Sequence, residues 1–288
     1  MSALSEENLN NSISYKAFLN SPYKSMKHST YFQVYDHLFS NYINSEITFV
    51  EIGVLSGGSL FFWQDFFGPD ARIIGIDFNP AAKKWEKFGF EIFIADQADR
   101  DLLTSIFKKI GAIDILLDDG GHTYLQQITT VESALPYINN GGMVVVEDTF
   151  TSYRKGFGQK KYSFMNYAIR KTHLLNSNFN KLSKYNLQAN SLTRDKYVWS
   201  VEFFQAIVVF RVNRMFVKLP WKDVINLGED DNAKDYRFHN SRIKYLNIYI
   251  NKLSFLKHLP GSKIMLNIIM NLSLRRRAYD KKLKSFFN

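Results

Sequence analysis

The chain has no cysteine among its 288 residues. That removes disulfides, thiolate metal sites and a cysteine nucleophile, and it fits a reducing compartment. Long apolar runs are also missing: nothing approaches the roughly 18 to 20 uninterrupted apolar residues of a membrane-spanning helix. Met1 to Asn11 is polar and acidic, not a basic start ahead of an apolar run, so no secretory signal is expected and the expected location is the cytoplasm. Acidic residues are nearly absent from the end of the chain. From His239 to Asn288 there are 11 Lys and Arg against Asp280 alone, whereas residues 1–238 hold 26 of each sign, so the net charge of +10 belongs to the tail. There is no internal repeat and no low-complexity tract.

What is present is a series of short apolar runs of strand length that stop at acids. Asp114 to Leu117 stops at Asp118-Asp119-Gly120-Gly121-His122, and Gly142 to Val146 stops at Glu147-Asp148-Thr149. Between them Tyr124, Ile128, Val131 and Leu135 recur at helical spacing, and Pro136 with Asn139-Asn140-Gly141-Gly142 reads as the closing turn. Earlier, Ile47 to Gly53 reads as a strand, Leu60 to Phe67 as an aromatic helix, and Arg72 to Ile76 and Phe90 to Ala95 as strands ending at Asp77 and Asp96. Repetition of strand, acid and helix predicts an α/β fold with a Rossmann-like, doubly wound, mostly parallel sheet, in which ligands sit at the carboxyl ends of the strands.

The expected organisation is a polar arm over 1–24, the α/β domain over 25–218, a Pro, Gly and acid-rich linker over 219–238, and a basic amphipathic helical tail over 239–288. The aromatic stretch Tyr31 to Tyr42, at helical spacing, is expected to cover the sheet edge or the site. For the tail the charge pattern favours an anionic membrane surface, with docking at the membrane's inner face; its apolar face fits a homo-oligomer equally well. Nucleic acid is not expected, because no base-stacking platform or reader motif accompanies the charge.

Glu51-Ile52-Gly53 followed by Gly57-Gly58-Ser59 at a helix start is a nucleotide-type cradle, since glycines let backbone approach a ligand and helix-end amides donate to it. The third spaced glycine of the pyrophosphate fingerprint is missing. Glu51 suits a ligand with an ammonium group, Asp77 two ribose hydroxyls, and Asp96 beside Gln97 an adenine.

Taken together, Phe49-Val50-Glu51-Ile52-Gly53-Val54, Gly57-Gly58-Ser59, Gly75-Ile76-Asp77 and Ala95-Asp96-Gln97 resemble the S-adenosylmethionine site of class I methyltransferases. Asp118-Asp119-Gly120-Gly121-His122, followed by Val146-Glu147-Asp148-Thr149 and Tyr153, is similar to the metal-dependent sugar O-methyltransferases of the mycinamicin and macrocin type and their polysaccharide-modifying relatives. The resemblance covers about residues 25–212. It implies Mg²⁺ or another hard divalent cation on Asp119, Glu147 and Asp148, with His122 as the base. Gly121 departs from the commonest pattern, which has a small residue such as serine there.

Asp118 is left as a contact of the cofactor or a support behind it. His28, His37 and His258 read as structural or surface groups, although the resemblance implies a place near the substrate for His28; Tyr153 either closes the substrate pocket or packs. The implied function is Mg²⁺-dependent methyl transfer from S-adenosylmethionine to a sugar hydroxyl of a glycan or glycosylated metabolite. The alternatives are a non-sugar vicinal diol as acceptor, or a membrane-associated nucleotide-binding scaffold without turnover.

Overall fold

A computed structural model describes residues 9–177 and 195–219, together with the isolated residues 224–226, 228, 284 and 286. The linker and tail expectations therefore lie almost wholly outside the described residues. The chain divides into two compact units, Met1–Lys222 and Asp223–Asn288, and only the first is described in detail. Among the described residues no helix is long and apolar enough to cross a membrane.

The first unit is built on seven strands: β1 Thr48–Ile52, β2 Arg72–Asp77, β3 Glu91–Ile94, β4 Ile113–Asp118, β5 Ile138–Val146, β6 Val198–Phe204 and β7 Ile207–Val212. They lie in the order β3-β2-β1-β4-β5-β7-β6. The pairs from β3 through to β5 are parallel, and β7 runs antiparallel to both of its neighbours. The expected mostly parallel doubly wound sheet is thus present, and the aromatic run from Tyr197 to Val212 is its antiparallel hairpin edge.

Side chains of one strand alternate between the two faces. On one face Phe49, Ile115, Leu117, Met143, Val145, Ile207 and Val209 pack under helices α1 Ile13–Asn20, α2 Tyr31–Phe39 and α3 Gly58–Phe67. On the other, Val50, Ile52, Leu116, Val144, Val146, Val208 and Phe210 pack under α4 Arg100–Ile110, α5 Tyr124–Ala134 and α6 Phe164–Ser177. A short helix, α7 Arg214–Lys218, follows β7. Helix α3 is apolar on nearly every side, with Leu60, Phe62, Trp63, Phe66 and Phe67 at most 2% exposed, as a helix enclosed between a sheet and two further helices must be. Trp63 lies within about ring-contact range of Phe49, Phe62, Phe67 and Tyr35.

Two stretches differ from expectation. The region read as a polar arm carries α1, whose Ser14 and Ala17 are buried. Its start is tied to α2, because the amides of Ile13 and Ser14 donate to the Asp36 carboxylate. The Asn139 to Gly142 turn is instead part of the span of β5: pairing steps from Ile113 with Ile138 to Ile115 with Met143, so the extra residues bulge out, with Gly141 at φ 91°. A bulge absorbs surplus residues without ending the ladder. The Tyr/Lys/Gly loop after Asp148 contains two 3₁₀ turns, Thr149–Tyr153 and Lys160–Tyr162.

Candidate functional site

Strand order reverses between β1 and β4, and a crevice opens there at the carboxyl edge of the sheet. The ladder continues just past the strand ends: Gly53 donates to the Ile76 carbonyl, Asp119 to Ile52, and Glu147 to Asp118. This alignment sets Gly53, Asp119 and Glu147 side by side. Gly53 has φ 97°, and a Cβ placed there would lie 2.1 Å from the Asp119 carbonyl oxygen, so only glycine permits the close approach. Gly57, at φ 78°, abuts the Trp85 ring, and Gly58 abuts the carbonyls of Tyr23 and Lys24.

A cavity of about 840 Å³ occupies the crevice. Its walls include Gly53, Ser59, Asp77, Asp96, Gln97, Asp119, His122, Glu147, Asp148 and His28, so ten of the sequence-derived site residues meet there. Glu51, Gly57, Asp118 and Tyr153 are not in its walls. Glu51 is fully buried behind it, accepting hydrogen bonds from Ser59 Oγ (2.6 Å) and Trp63 Nε1 (3.1 Å); burial pushes its carboxyl up to about 7, against the pull of the Lys27 ammonium. Here Glu51 supports Ser59 and contacts no cavity surface. Tyr153 is 74% exposed. Asp118 points to the opposite face of the sheet from Asp119, where Gln97 Nε2 donates to its Oδ1 (2.7 Å). Its Oδ2 is buried with no hydrogen-bond partner among the described residues, and burial raises its pKa to about 6.

On the β1–β2 side the acids serve the backbone. Asp77 accepts from the amides of Val54, Leu55 and Asn79, which shapes the loop after β1. Asp96 accepts from Ala98, and Gln97 also receives the Gly121 amide, tying the end of β3 to the loop after β4.

On the β4–β5 side the acids face one another. His122 Nε2 lies 3.3 Å from Asp148 Oδ2 and 4.0 Å from Asp119 Oδ1. One ligand atom from each of Asp119, His122 and Asp148 falls within 4.8 Å of the others, a spacing that could hold a metal ion. His122 and Asp148 both have left-handed backbones, φ 58° and 54°, a conformation that costs a non-glycine residue about 1 kcal/mol or more. His122 is anchored from behind: Thr123 and Gln126 form a capping box that starts α5 immediately after it, and the Thr151 hydroxyl donates to its carbonyl. His28 Nε2 approaches Asp148 from the solvent side at 3.8 Å.

Glu147 lies outside that trio. Its carboxylate accepts from the Tyr35 hydroxyl and, at 2.9 Å, from Lys27 Nζ, and burial drives its pKa upward. Lys27 Nζ also donates to Asp119 Oδ2 at 2.7 Å and lies 3.9 Å from Glu51. Burial opposes the charge on Lys27, but Asp119, Glu147 and Glu51 outweigh it and hold the amine protonated far above its ordinary range. Tyr31, one turn before Tyr35 on α2, donates to Asp148 Oδ1; burial and that contact raise its pKa well above the usual phenol value. Sequence reasoning expected α2 to cover the edge or the site, but it assigned no role to Lys27, Tyr31 or Tyr35. The two tyrosines, four residues apart on one helix face, were the available signal; for Lys27 there was none.

Residues 50–149 match a family model described as a methyltransferase domain. Over 131 residues the chain is 34% identical to mycinamicin VI 2''-O-methyltransferase of Micromonospora griseorubida, covering 43% of this chain and 32% of that protein. Demethylmacrocin O-methyltransferase of Streptomyces fradiae is also 34% identical over 131 residues, covering 43% and 33%. The chain therefore spans about a third of the length of these curated relatives. Among solved structures, the MycE methyltransferase from the mycinamycin biosynthetic pathway, in complex with Mg, SAH and mycinamycin VI, superposes with a TM-score of 0.58 at 24% identity, covering 70% of this chain and 53% of that one. The family-model match runs from β1 through the acid pair after β5, and over part of its length the chain is similar in sequence to the mycinamicin and macrocin-type O-methyltransferases, with a similar fold to MycE.

Proposed function

We propose that the protein is an S-adenosylmethionine-dependent O-methyltransferase that uses a divalent cation, Mg²⁺ by analogy with its relatives, to methylate a sugar hydroxyl of a glycan or glycosylated metabolite. The observation that carries this reading is the grouping of Asp119, His122 and Asp148 on the wall of the same cavity as Gly53, Ser59, Asp77 and Gln97.

The residues fit both groups. The left-handed Gly53 and Gly57 let the β1–α3 backbone lie close to a ligand, and the cavity's volume is that of an ordinary small-molecule or cofactor site. Asp119 and Asp148 present hard oxygens suited to a divalent cation. Glu147, which the family resemblance adds to the ligand set, is held by Lys27 and Tyr35 in this arrangement. S-Adenosylmethionine supplies an already activated methyl group, and a bound cation makes a nearby hydroxyl easier to ionise.

The chain's own residues align the reactants and move the proton. Asp77, by holding Val54 and Leu55, fixes the loop that walls the cofactor side. His122 turns Nε2 toward the carboxylates and keeps Nδ1 buried, so Nε2 is the atom that would receive the hydroxyl proton as the acceptor oxygen bonds to the methyl carbon and the methyl–sulfur bond breaks, its electron pair staying on sulfur to leave the neutral thioether product. Asp148, 3.3 Å away, then shares that proton. Because one nitrogen cannot accept a proton and ligate a cation at once, the base role for His122 leaves cation binding to carboxylates.

The test is methyl transfer from radiolabelled S-adenosylmethionine to a panel of glycosylated acceptors, run beside calorimetric titration of the cofactor. His122→Ala is expected to lower transfer by about 10² to 10⁴-fold, the usual worth of a general base, with cofactor affinity unchanged. Transfer that survives either this substitution or chelation of divalent ions refutes the assignment.

A further inference from the structure

Among the described residues, Lys27 is the lysine buried inside the acidic nook, and the segment that carries it belongs to neither flanking helix. Residues 24–28 carry no regular secondary structure, yet the Lys27 side chain is only 1% exposed and bridges Asp119 and Glu147. Asp119 is shared: Oδ2 is turned to Lys27, while Oδ1 faces His122. An ammonium between two carboxylates stands in the place of a hard cation, but with a single charge and three donors in place of two charges and open coordination positions.

We infer that Lys27 is an exchangeable internal counter-cation, and that a divalent ion and the Lys27 ammonium compete for the Asp119–Glu147 pair. This rests on the cation-dependent reading above and extends it. With Lys27 in place, a cation finds Asp119 through one oxygen, together with Asp148. With Lys27 withdrawn, Asp119 is freed on both sides and Glu147 joins, giving a three-carboxylate site. Withdrawal is mechanically available because the lysine stem is flexible and residues 24–28 lie in no strand or helix; the backbone hydrogen bond that ties the segment to α2, from the Tyr31 amide to the His28 carbonyl, lies beyond Lys27. The same segment lines the cavity, and its Lys24 carbonyl, beside that of the preceding Tyr23, rests on Gly58 at the start of α3, so cation loading is coupled to the wall of the cofactor pocket.

The test is calorimetric titration of the full-length protein and of Lys27→Met with Mn²⁺. Lys27→Met is expected to bind Mn²⁺ at least tenfold more tightly, and Mn²⁺ is expected to raise its melting temperature more than that of the parent protein. If the parent binds Mn²⁺ and Lys27→Met binds it equally or more weakly, the competition is overturned while the cation-dependent reading stands. If neither protein binds Mn²⁺, that reading fails and takes the competition with it. Since Lys27→Met leaves buried carboxylates unpaired and could fail to fold, a second measurement uses the parent chain. Amine-reactive labelling followed by mass spectrometry should show Lys27 labelling rising several-fold at saturating Mn²⁺, with the exposed Lys108 unchanged. Constant Lys27 labelling under saturated binding overturns the inference.

Discussion

Asp77 and Glu147 end or follow strands at the same edge of one sheet, and they have been put to opposite uses. Asp77 is half-buried and satisfied by three backbone amides of its own neighbourhood. Its charge is spent locally on shaping a loop. Glu147 is buried against Asp119 and is reached by Lys27 and Tyr35, more than 100 residues away in sequence. On the β1–β2 half, then, carboxylates organise backbone; on the β4–β5 half they are concentrated, unneutralised by backbone, and depend on side chains from the N-terminal segment. Packing like charges together in a buried place is costly unless a cation or a proton joins them, and that cost is the physical basis of the proposed cation binding.

The sharpest way to break the contrast is at the residue where the halves touch. Gly53→Ala pushes a methyl against the Asp119 carbonyl and forces a left-handed alanine, so a loss of about 3 kcal/mol or more is expected from overpacking and backbone strain together. Urea unfolding should show it, and cofactor and Mn²⁺ affinities should fall together. Independent losses would mean that the two halves are not mechanically joined there.

A second prediction concerns Glu51, the buried acid between the halves. Its folded pKa, about 7, lies above the ordinary value of 4.5, so the folded state holds the proton more strongly than the unfolded chain. Stability from this group is therefore complete below pH 4.5, falls as pH rises to about 7, and is level above it, with an amplitude on the order of 3 kcal/mol at most. Glu51→Gln should flatten that stretch of the stability–pH profile. A variant profile parallel to the parent's would show that Glu51 does not titrate in this range.

The smallest effect separates the two tyrosines. Tyr35→Phe removes a donor from the fully buried Glu147 and should cost about 1–3 kcal/mol, whereas Tyr31→Phe removes one from Asp148, which still meets solvent, and should cost about 1 kcal/mol or less. Equal losses in chemical denaturation would say that burial does not distinguish these neighbouring acids.

The fold was legible because its signals are local. Runs such as Ile113–Asp118 and Met143–Val146 have strand length and end in acids, and the spacing Tyr124, Ile128, Val131 marks α5. The Asn139 to Gly142 stretch misled because a turn-like composition also suits a bulge, and only the partner strand's register tells them apart. Of the candidate site, the acids, the glycines and His122 were readable as motifs at strand ends. Their division of labour was not, since Asp118 and Asp119 differ only in which face of the sheet each side chain takes.

By itself, then, the order of residues determined the parallel α/β plan, the edge of the sheet at which the acids gather and the identity of ten of the groups lining the cavity, because periodicity and turn composition act over a few residues. Only the tertiary structure decided that Glu51 lies behind the cavity and not in its wall, that Tyr31 and Tyr35 reach the acid pair, and that Lys27 sits between Asp119 and Glu147. Those contacts span up to 120 residues. They exist because strand register and helix packing bring distant side chains into one low-dielectric nook, where the need to balance buried charge selects the partner.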